Sequence, residues 1–297
     1  MSNLEDKIEI LSVDLLDQHR PVVRDLKRLA RSLGLEFGWH YLLDQTWIIS
    51  LLGPVKGKRI LDAGAGTGVL QWYLAEQGAE VISADRLNRA RLPLRFRSRY
   101  QVRGLRPQDL LPVSKLLRDS FAENTRRQLK LRPQARNLVG LANLHRAPGH
   151  VVIYNQELQN LSDLADCSID AVVAVSALEH NPPQELSGVI QELLRVLKPG
   201  SVLLASLGAA RDADWFHTPS QGWCFTEGSL RRLFDLPSTA PANYASYDTL
   251  FAALKNCAEL RDNLASFYAK SGDNGMPWGH WDPQYQPVGV CKVKDAG

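Results

Sequence analysis

The sequence lacks the marks of a disulfide-bonded or membrane-spanning protein. Its four cysteines, Cys167, Cys224, Cys257 and Cys291, lie far apart and form no Cys-x-x-Cys pair. This spacing argues against a zinc site or a disulfide framework and favours a reduced cytoplasm. No apolar run approaches the ~18 residues that a membrane span needs. The first six residues are mostly polar and acidic, unlike a signal peptide. We therefore expect an ordinary globular protein with no metal site.

A strong net charge is also missing, but the charge that is present is unevenly distributed. The formal net charge is only +3 over 297 residues. Residues 86–146 alone carry 14 arginines and 2 lysines against three acids, a formal charge of +13, so the rest of the chain is at −10. Clustered arginine suggests an anionic partner, because guanidinium binds phosphate or carboxylate through two parallel hydrogen bonds. A solvated helical lid explains the same segment equally well.

The most informative stretch is Arg59–Leu70, which reads RILDAGAGTGVL. A short apolar run ends in Asp62, a turn with three glycines follows, and a helix is predicted after it. Glycine has no Cβ, so the backbone here can turn tightly and approach a ligand closely. A dinucleotide site would need a small residue three positions after Gly66, where Val69 stands, so that pattern fails. A tight turn without a ligand is the remaining alternative.

The G-x-G-x-G turn, with an acid two residues before it, resembles the first motif of class I S-adenosylmethionine (SAM)-dependent methyltransferases. A second predicted strand ends in Asp85, 21 residues after Gly64. An acid there can accept hydrogen bonds from both ribose hydroxyls, although a capping aspartate is the alternative. Glu157 and Leu158, after the third predicted strand, resemble the family stretch that meets the adenine. The resemblance implies SAM as the cofactor and assigns its binding to Asp62, Gly64, Ala65, Gly66, Gly68, Asp85, Arg86, Glu157, Leu158 and Ser176.

A Leu-Glu-His sequence follows the fourth predicted strand and resembles a large subgroup of small-molecule methyltransferases. It places Glu179 and His180 at the carboxyl edge of the sheet, where open α/β folds bind ligands. His180 is the candidate general base, because a neutral imidazole accepts a proton near neutral pH. We expect Glu179 either to orient His180 or to hold the substrate.

Aromatic residues cluster in three places that a substrate could contact. One is the predicted helix just before the first strand, where methyltransferases of this class often have a helix that covers the cofactor. The other two are loops late in the chain. Exposed aromatic rings suit stacking on a planar ligand, but packing against the core is the alternative. The candidate substrate-binding residues are Tyr41 from the helix, Trp215 and His217 from one loop, and Trp278 from the other.

The order of these elements predicts a doubly wound, Rossmann-like methyltransferase fold. Its sheet should hold about seven mostly parallel strands with helices on both faces. We expect an N-terminal helical cap at 1–57, since Leu4, Ile8 and Leu11 have helical spacing. The SAM-binding domain should span 58–297, with an Arg-rich helical insertion at 87–149.

Three classes of function remain open. The first is methyl transfer to an O, N or C atom of a small-molecule acceptor, and the arginines would suit an anionic one. The second is a nucleic-acid (RNA or DNA) methyltransferase that uses the basic insertion. The third is a SAM-binding protein without catalysis. The Leu-Glu-His sequence and the aromatic loops favour the first class.

Overall fold

The computed structural model describes residues 4–116, 118, 147–270 and 275–296. These residues build one mixed sheet of ten strands. The longer strands are rich in branched apolar residues, as expected for strands that are buried on both faces. The strands are β1 (Lys7–Ile10), β2 (Arg59–Ala63), β3 (Glu80–Asp85), β4 (Gln101–Gly104), β5 (His150–Asn155), β6 (Ile169–Val175), β7 (Leu197–Ala209), β8 (Trp215–His217), β9 (Gly222–Phe225) and β10 (Gln286–Val293).

The sheet has the order β1-β10-β7-β6-β2-β3-β5-β4, and β9 pairs with both β7 and β8. All pairs in the part of the sheet from β7 to β4 are parallel. In contrast, β10 is antiparallel to both β7 and β1. From β2 the chain first moves to β3 on one side and later to β6 on the other. Open α/β sheets bind ligands at such a reversal, along the carboxyl ends of the strands.

Helices cover both faces of the sheet, which confirms the doubly wound class. One apolar core joins the sheet to the helices before β2 and after it, and a second core joins the opposite face to later helices. The helices are α1 (Asp14–Gln18), α2 (Arg20–Leu33), α3 (Tyr41–Leu52), α4 (Leu70–Glu76), α5 (Leu94–Arg99), α6 (Pro183–Val196), α7 (Glu227–Leu233), α8 (Tyr247–Lys255) and α9 (Ala258–Arg261).

The start of the chain corrects one prediction. Leu4, Ile8 and Leu11 do not lie on a helix, because residues 7–10 form the edge strand β1. Ile8 and Ile10 are buried while the residues beside them are half-buried, which is the alternation of a strand. The side chain of Asn243 pairs with both the N–H and the C=O of Ile10. Helices begin only at α1, so the N-terminal segment is not wholly helical.

The predicted Arg-rich helical insertion at 87–149 lies largely outside the described residues, since 117 and 119–146 are not described. Its first part holds α5 and β4, and β4 adds a parallel edge strand beside β5. The sheet has ten strands where about seven were expected, and the edge strands β4 and β1 and the short pair β8 and β9 are the ones that the sequence analysis did not predict. None of the helices in the described part combines the length and apolar character that crossing a bilayer requires.

Candidate active site

The loop between β2 and α4 makes a left-handed turn against the loop that follows β6. Gly64 and Gly66 have φ values of +75° and +49°, which side chains rarely tolerate. A Cβ on Gly64 would lie 2.3 Å from the Cβ of Ala177, so the two loops can touch only with glycine there. The N–H groups of Gly64 and Ala65 both donate to the carbonyl of Ala84 in β3, at 2.9 and 3.1 Å. The ends of β2, β3 and β6 therefore meet at this turn.

Asp85, the last residue of β3, connects its strand to the glycine turn. Its Oδ2 accepts a hydrogen bond from the N–H of Gly66 at 2.7 Å, and its Oδ1 accepts one from the N–H of Leu87 at 2.6 Å. An ionised carboxylate has about four lone-pair sites. Two of these remain for further donors, so Asp85 can support the turn and still bind hydroxyl groups of a ligand.

Asp62 is a buried carboxyl group close to the same turn. Its side chain lies near the end of β2 and is only 3% exposed. Desolvation raises the pKa of Asp62 to about 7; the positive charge of Arg89 opposes this rise and the charge of Asp85 adds to it. A buried acid of this kind is stabilised by a cationic ligand, because the cation restores the interaction that burial removed.

The side chain of Arg89 stabilises the glycine turn through hydrogen bonds, and the sequence analysis missed this function. The side chain is buried, and its Nη1 donates to the carbonyl of Gly66 at 3.2 Å and to the hydroxyl of Ser83 at 2.5 Å. Its Nη2 donates to the carbonyls of Ser83 and Tyr154 at 2.7 and 3.2 Å. Burial lowers the pKa of Arg89 while nearby acids raise it. In the sequence Arg89 is only one arginine of a basic segment, with no local signal that sets it apart.

A cavity of about 860 Å³ lies along the carboxyl ends of the parallel strands. A volume of this size holds a drug-sized ligand and leaves room for a second small molecule. The cavity brings together all of the residues predicted to bind the cofactor, both candidate catalytic residues and one of the four candidate substrate-binding residues. These lining residues are Tyr41, Asp62, Gly64, Ala65, Gly66, Gly68, Asp85, Arg86, Glu157, Leu158, Ser176, Glu179 and His180.

Glu179 is a buried carboxyl group in the turn after β6. Ser176, which has a positive φ of 45°, donates from its Oγ to Oε1 of Glu179 at 2.5 Å. The other oxygen, Oε2, has no hydrogen-bond partner among the described residues. Burial raises the pKa of Glu179, and the neighbouring His180 and Ser176 oppose that rise. The carboxyl group is thus poorly satisfied, which is common where a ligand supplies the missing partner.

His180 is exposed at the mouth of the cavity. Its Nδ1 lies 2.9 Å from the carbonyl oxygen of Gln221, to which it donates. In a neutral imidazole this leaves Nε2 as a proton acceptor. Two functions were expected for Glu179, and the first was to orient His180. The described residues show no hydrogen bond between these two side chains, because Nδ1 of His180 donates to the carbonyl of Gln221 instead.

A chain of hydrogen-bonded polar side chains forms another part of the cavity wall. His40 precedes α3, and its Nδ1 lies 2.7 Å from Oδ2 of Asp44 with both side chains buried. The Nε2 atom of His40 lies 3.5 Å from the hydroxyl of Tyr285, which lines the cavity. Tyr41 follows His40 on the same wall, and burial of its hydroxyl, with the charge of Glu179, raises the pKa of Tyr41.

The other candidate substrate-binding residues do not line the cavity. His217 lies one layer behind it: its Nδ1 is 2.7 Å from the hydroxyl of Ser220, and its ring is 5.1 Å from that of Tyr285. Trp215 packs edge-on against His217 at 5.6 Å. Trp278 is 73% exposed in the second aromatic loop. Contact of these three side chains with a substrate stays a prediction.

The sequence analysis also missed Tyr285, Gln45 and Asp44. Tyr285 and Gln45 line the cavity, and Asp44 supports His40 from behind. The spacing of His40 and Asp44, four residues apart on a helix, was a signal for their contact. Tyr285 had no such signal, because it reaches His40 only through the pairing of β10 with the sheet.

Comparison with known proteins places the chain in a fold and a family. A family model described as a methyltransferase domain matches residues 40–284. Among solved structures, the [4+2]-cyclase SpnF matches over 99% of this chain and 100% of its own, with 16% identity and a TM-score of 0.50. At this identity the likeness extends to the fold. No match is found among curated proteins.

Two further solved structures resemble the chain over three quarters of its length. The 1,6-didemethyltoxoflavin-N1-methyltransferase of Burkholderia thailandensis, with bound S-adenosylhomocysteine, has 15% identity and a TM-score of 0.40 over 75% of this chain and 73% of its own. The magnesium protoporphyrin IX methyltransferase of Synechocystis PCC 6803, with bound SAM, has 18% identity and a TM-score of 0.37 over 75% of this chain and 84% of its own.

Proposed function

Because the chain belongs to the SAM-dependent methyltransferase family, we propose that it transfers the sulfonium methyl group to an O, N or C atom of a small-molecule acceptor. One observation carries the choice of a small molecule: the glycine turn, Asp85 and the Glu179–His180 turn face one cavity of about 860 Å³. A cavity of this size accommodates two molecules of modest size side by side.

SAM fits one group of the residues that line this cavity. The glycine turn leaves a cradle that a Cβ on Gly64 would fill. Asp62 is a buried carboxyl group with an elevated pKa, which suits the ammonium of the methionyl part. Asp85 keeps lone pairs for the ribose hydroxyls. In this assignment Glu157 and Leu158 lie beside the adenine, while Arg86 and Ser176 complete the lining.

The proposed mechanism places most of the catalysis in alignment and in the exclusion of water. SAM supplies a methyl group that is already activated for displacement. The protein then has to hold the acceptor in line with it and take up a proton where the acceptor carries one. His180 is the proposed base, since the carbonyl of Gln221 fixes Nδ1–H and leaves Nε2 free to accept. Glu179 holds the acceptor.

The nucleic-acid alternative has less support from the described half of the basic segment. Several of its arginines are engaged within the protein and are not displayed for a polyanion. Arg89 is buried under the glycine turn, Arg99 pairs with Glu76 at 2.5 Å, and Arg106 pairs with Asp109 at 3.0 Å. These contacts favour a small-molecule acceptor.

The test is release of S-adenosylhomocysteine from SAM by the full chain, with and without fractions of a metabolite extract. We expect release that depends on a small-molecule fraction, and a fall in kcat of about 100-fold for His180→Ala at saturating SAM. Full turnover in both His180→Ala and Glu179→Ala would contradict the assigned residues. Tight SAM binding without turnover in any fraction would favour the non-catalytic alternative. Polynucleotide binding that weakens steeply with salt would favour the nucleic-acid alternative.

A further inference from the structure

The cavity is acidic in the part of the chain that the structure describes. Six carboxyl groups line it, and the guanidinium of Arg86 is the one permanent cation among the described lining residues. Cavity walls of one charge sign concentrate ligands of the opposite sign. An anionic acceptor would meet repulsion here. Three of the carboxyl groups, Asp62, Asp85 and Glu157, are assigned to SAM by the proposed function, and the other three belong to Glu36, Glu179 and Glu185.

Two buried oxygen atoms in the lining lack a hydrogen-bond donor. One is Oε2 of Glu179, and the other is Oε1 of Gln45; the two residues are 4% and 2% exposed. An unsatisfied buried acceptor is costly, and native structures contain few of them. Neither residue has a described neighbour that supplies the missing proton. A ligand that carries N–H or O–H donors would satisfy both atoms, whereas a carboxylate ligand would satisfy neither.

The Tyr285 hydroxyl presents a third acceptor to the same space. Asp44 accepts from Nδ1–H of His40, so the Nε2 lone pair faces the hydroxyl of Tyr285. With its proton directed to His40 and one lone pair accepting from the hydroxyl of Ser220, the oxygen of Tyr285 keeps one lone pair for a ligand. The buried carboxylate of Asp44 therefore sets the polarity of a hydroxyl that it does not touch.

Aromatic rings complete this part of the wall. Glu179 lies near enough to Tyr41 and Tyr285 for its charge to act on both hydroxyls, in addition to their burial. Ring faces attract cations, and an aromatic pocket with a carboxylate is a common site for an ammonium group. The rings that line the cavity are Phe37, Trp39, Tyr41, Phe267, Tyr268 and Tyr285.

We propose that the methyl acceptor carries a protonated amine next to a flat ring, and that Glu179 and the surrounding aromatic side chains hold this amine. This inference rests on the proposed function and narrows it to one chemical class of acceptor. The Arg-rich segment had suggested an anionic acceptor, but the described lining of the cavity has the opposite charge.

The test compares two probes that share ring and length but differ in charge, tyramine and 4-hydroxyphenylacetate. Binding of each is measured by calorimetry to the full chain saturated with S-adenosylhomocysteine. We expect tyramine to bind at least about tenfold more tightly. Glu179→Gln, which keeps the side-chain shape and the contact with Ser176, should remove that preference. Asp212→Asn, on the exposed surface and outside this lining, is the matched control and should keep it.

The outcomes separate the two proposals. Failure to bind S-adenosylhomocysteine would contradict the proposed function, and the acceptor class would fall with it. Binding of S-adenosylhomocysteine without a preference for tyramine, or with a preference for the carboxylate, would overturn the acceptor class alone. A preference that survives Glu179→Gln would overturn the assignment to Glu179. The comparison of the two probes on the native chain decides the acceptor class even if the variant does not fold.

Discussion

Asp62→Asn should make the unliganded protein more stable at high pH. Asp62 is 3% exposed, and burial raises its pKa from 3.8 to about 7. The pKa of the folded state lies above that of the unfolded state, so the folded protein holds the proton more tightly between these two values. The contribution of Asp62 to stability is therefore highest below its pKa in the unfolded state, and it is lost as pH rises through its pKa in the folded state.

The size of this effect follows from the shift. A rise of about 3 pKa units at about 1.36 kcal/mol for each unit corresponds to about 4 kcal/mol. Asparagine has nearly the same shape and no charge to desolvate. The free energy of unfolding of Asp62→Asn, relative to the native protein, should thus increase by about 4 kcal/mol between about pH 4 and about pH 8.

Urea unfolding of both proteins over this pH range measures the difference. Asp170→Asn is the matched control with the opposite sign. Burial alone would raise the pKa of Asp170, but the N–H of Arg59 and the ammonium of Lys198 bring it below its ordinary value. Asp170→Asn should therefore destabilise the protein at neutral pH. A relative stability of Asp62→Asn that stays constant or falls as pH rises would refute the reasoning about Asp62.

Three other experiments test the architecture of the site. Gly64→Ala should abolish SAM binding, because the new Cβ would lie 2.3 Å from that of Ala177. Adding Ala177→Gly should restore only part of the binding, because φ at residue 64 stays positive. Equal binding of SAM by all variants, measured by calorimetry, would contradict this. Arg89→Met should lower the free energy of unfolding by about 3 kcal/mol, since it removes the hydrogen bonds from the guanidinium to three carbonyl groups; an unchanged urea midpoint would be the contrary result. In ¹⁵N NMR spectra, His40 should carry its proton on Nδ1, and Asp44→Asn should remove that preference; a native Nε2–H tautomer would reverse the proposed polarity of the wall.

Much of the sheet could be predicted because its central strands are locally encoded. The glycine turn had to follow a buried strand, and the apolar runs that became β3, β5, β6 and β7 were bounded by turn residues. The same reasoning failed at β1. Its four residues alternate, but Leu4, Ile8 and Leu11 also fit a helical period, and a strand this short carries too little pattern to decide. What selects the strand is its pairing with β10, nearly the whole chain away.

The residues of the candidate site also fall into two groups, those whose position the local sequence predicts and those whose position it does not. The position of residues in short motifs, such as Asp62, Asp85 and Glu179, could be predicted because a local turn places them at the edge of the sheet, and their functions stay predictions. Tyr285 and Arg89 were missed because their contacts are made by the fold. Tyr285 meets a histidine 245 positions earlier, and Arg89 reaches carbonyl groups of three different segments.

Calorimetry of SAM binding to the full chain and to Asp85→Asn tests the central claim most directly. Asparagine keeps an oxygen for the N–H of Gly66 but can no longer accept from two ribose hydroxyls. We predict that one SAM binds each native chain and that Asp85→Asn weakens binding by at least about tenfold, while Asp212→Asn leaves it unchanged. Absence of SAM binding, or equal affinity for the native protein and Asp85→Asn, would contradict the account.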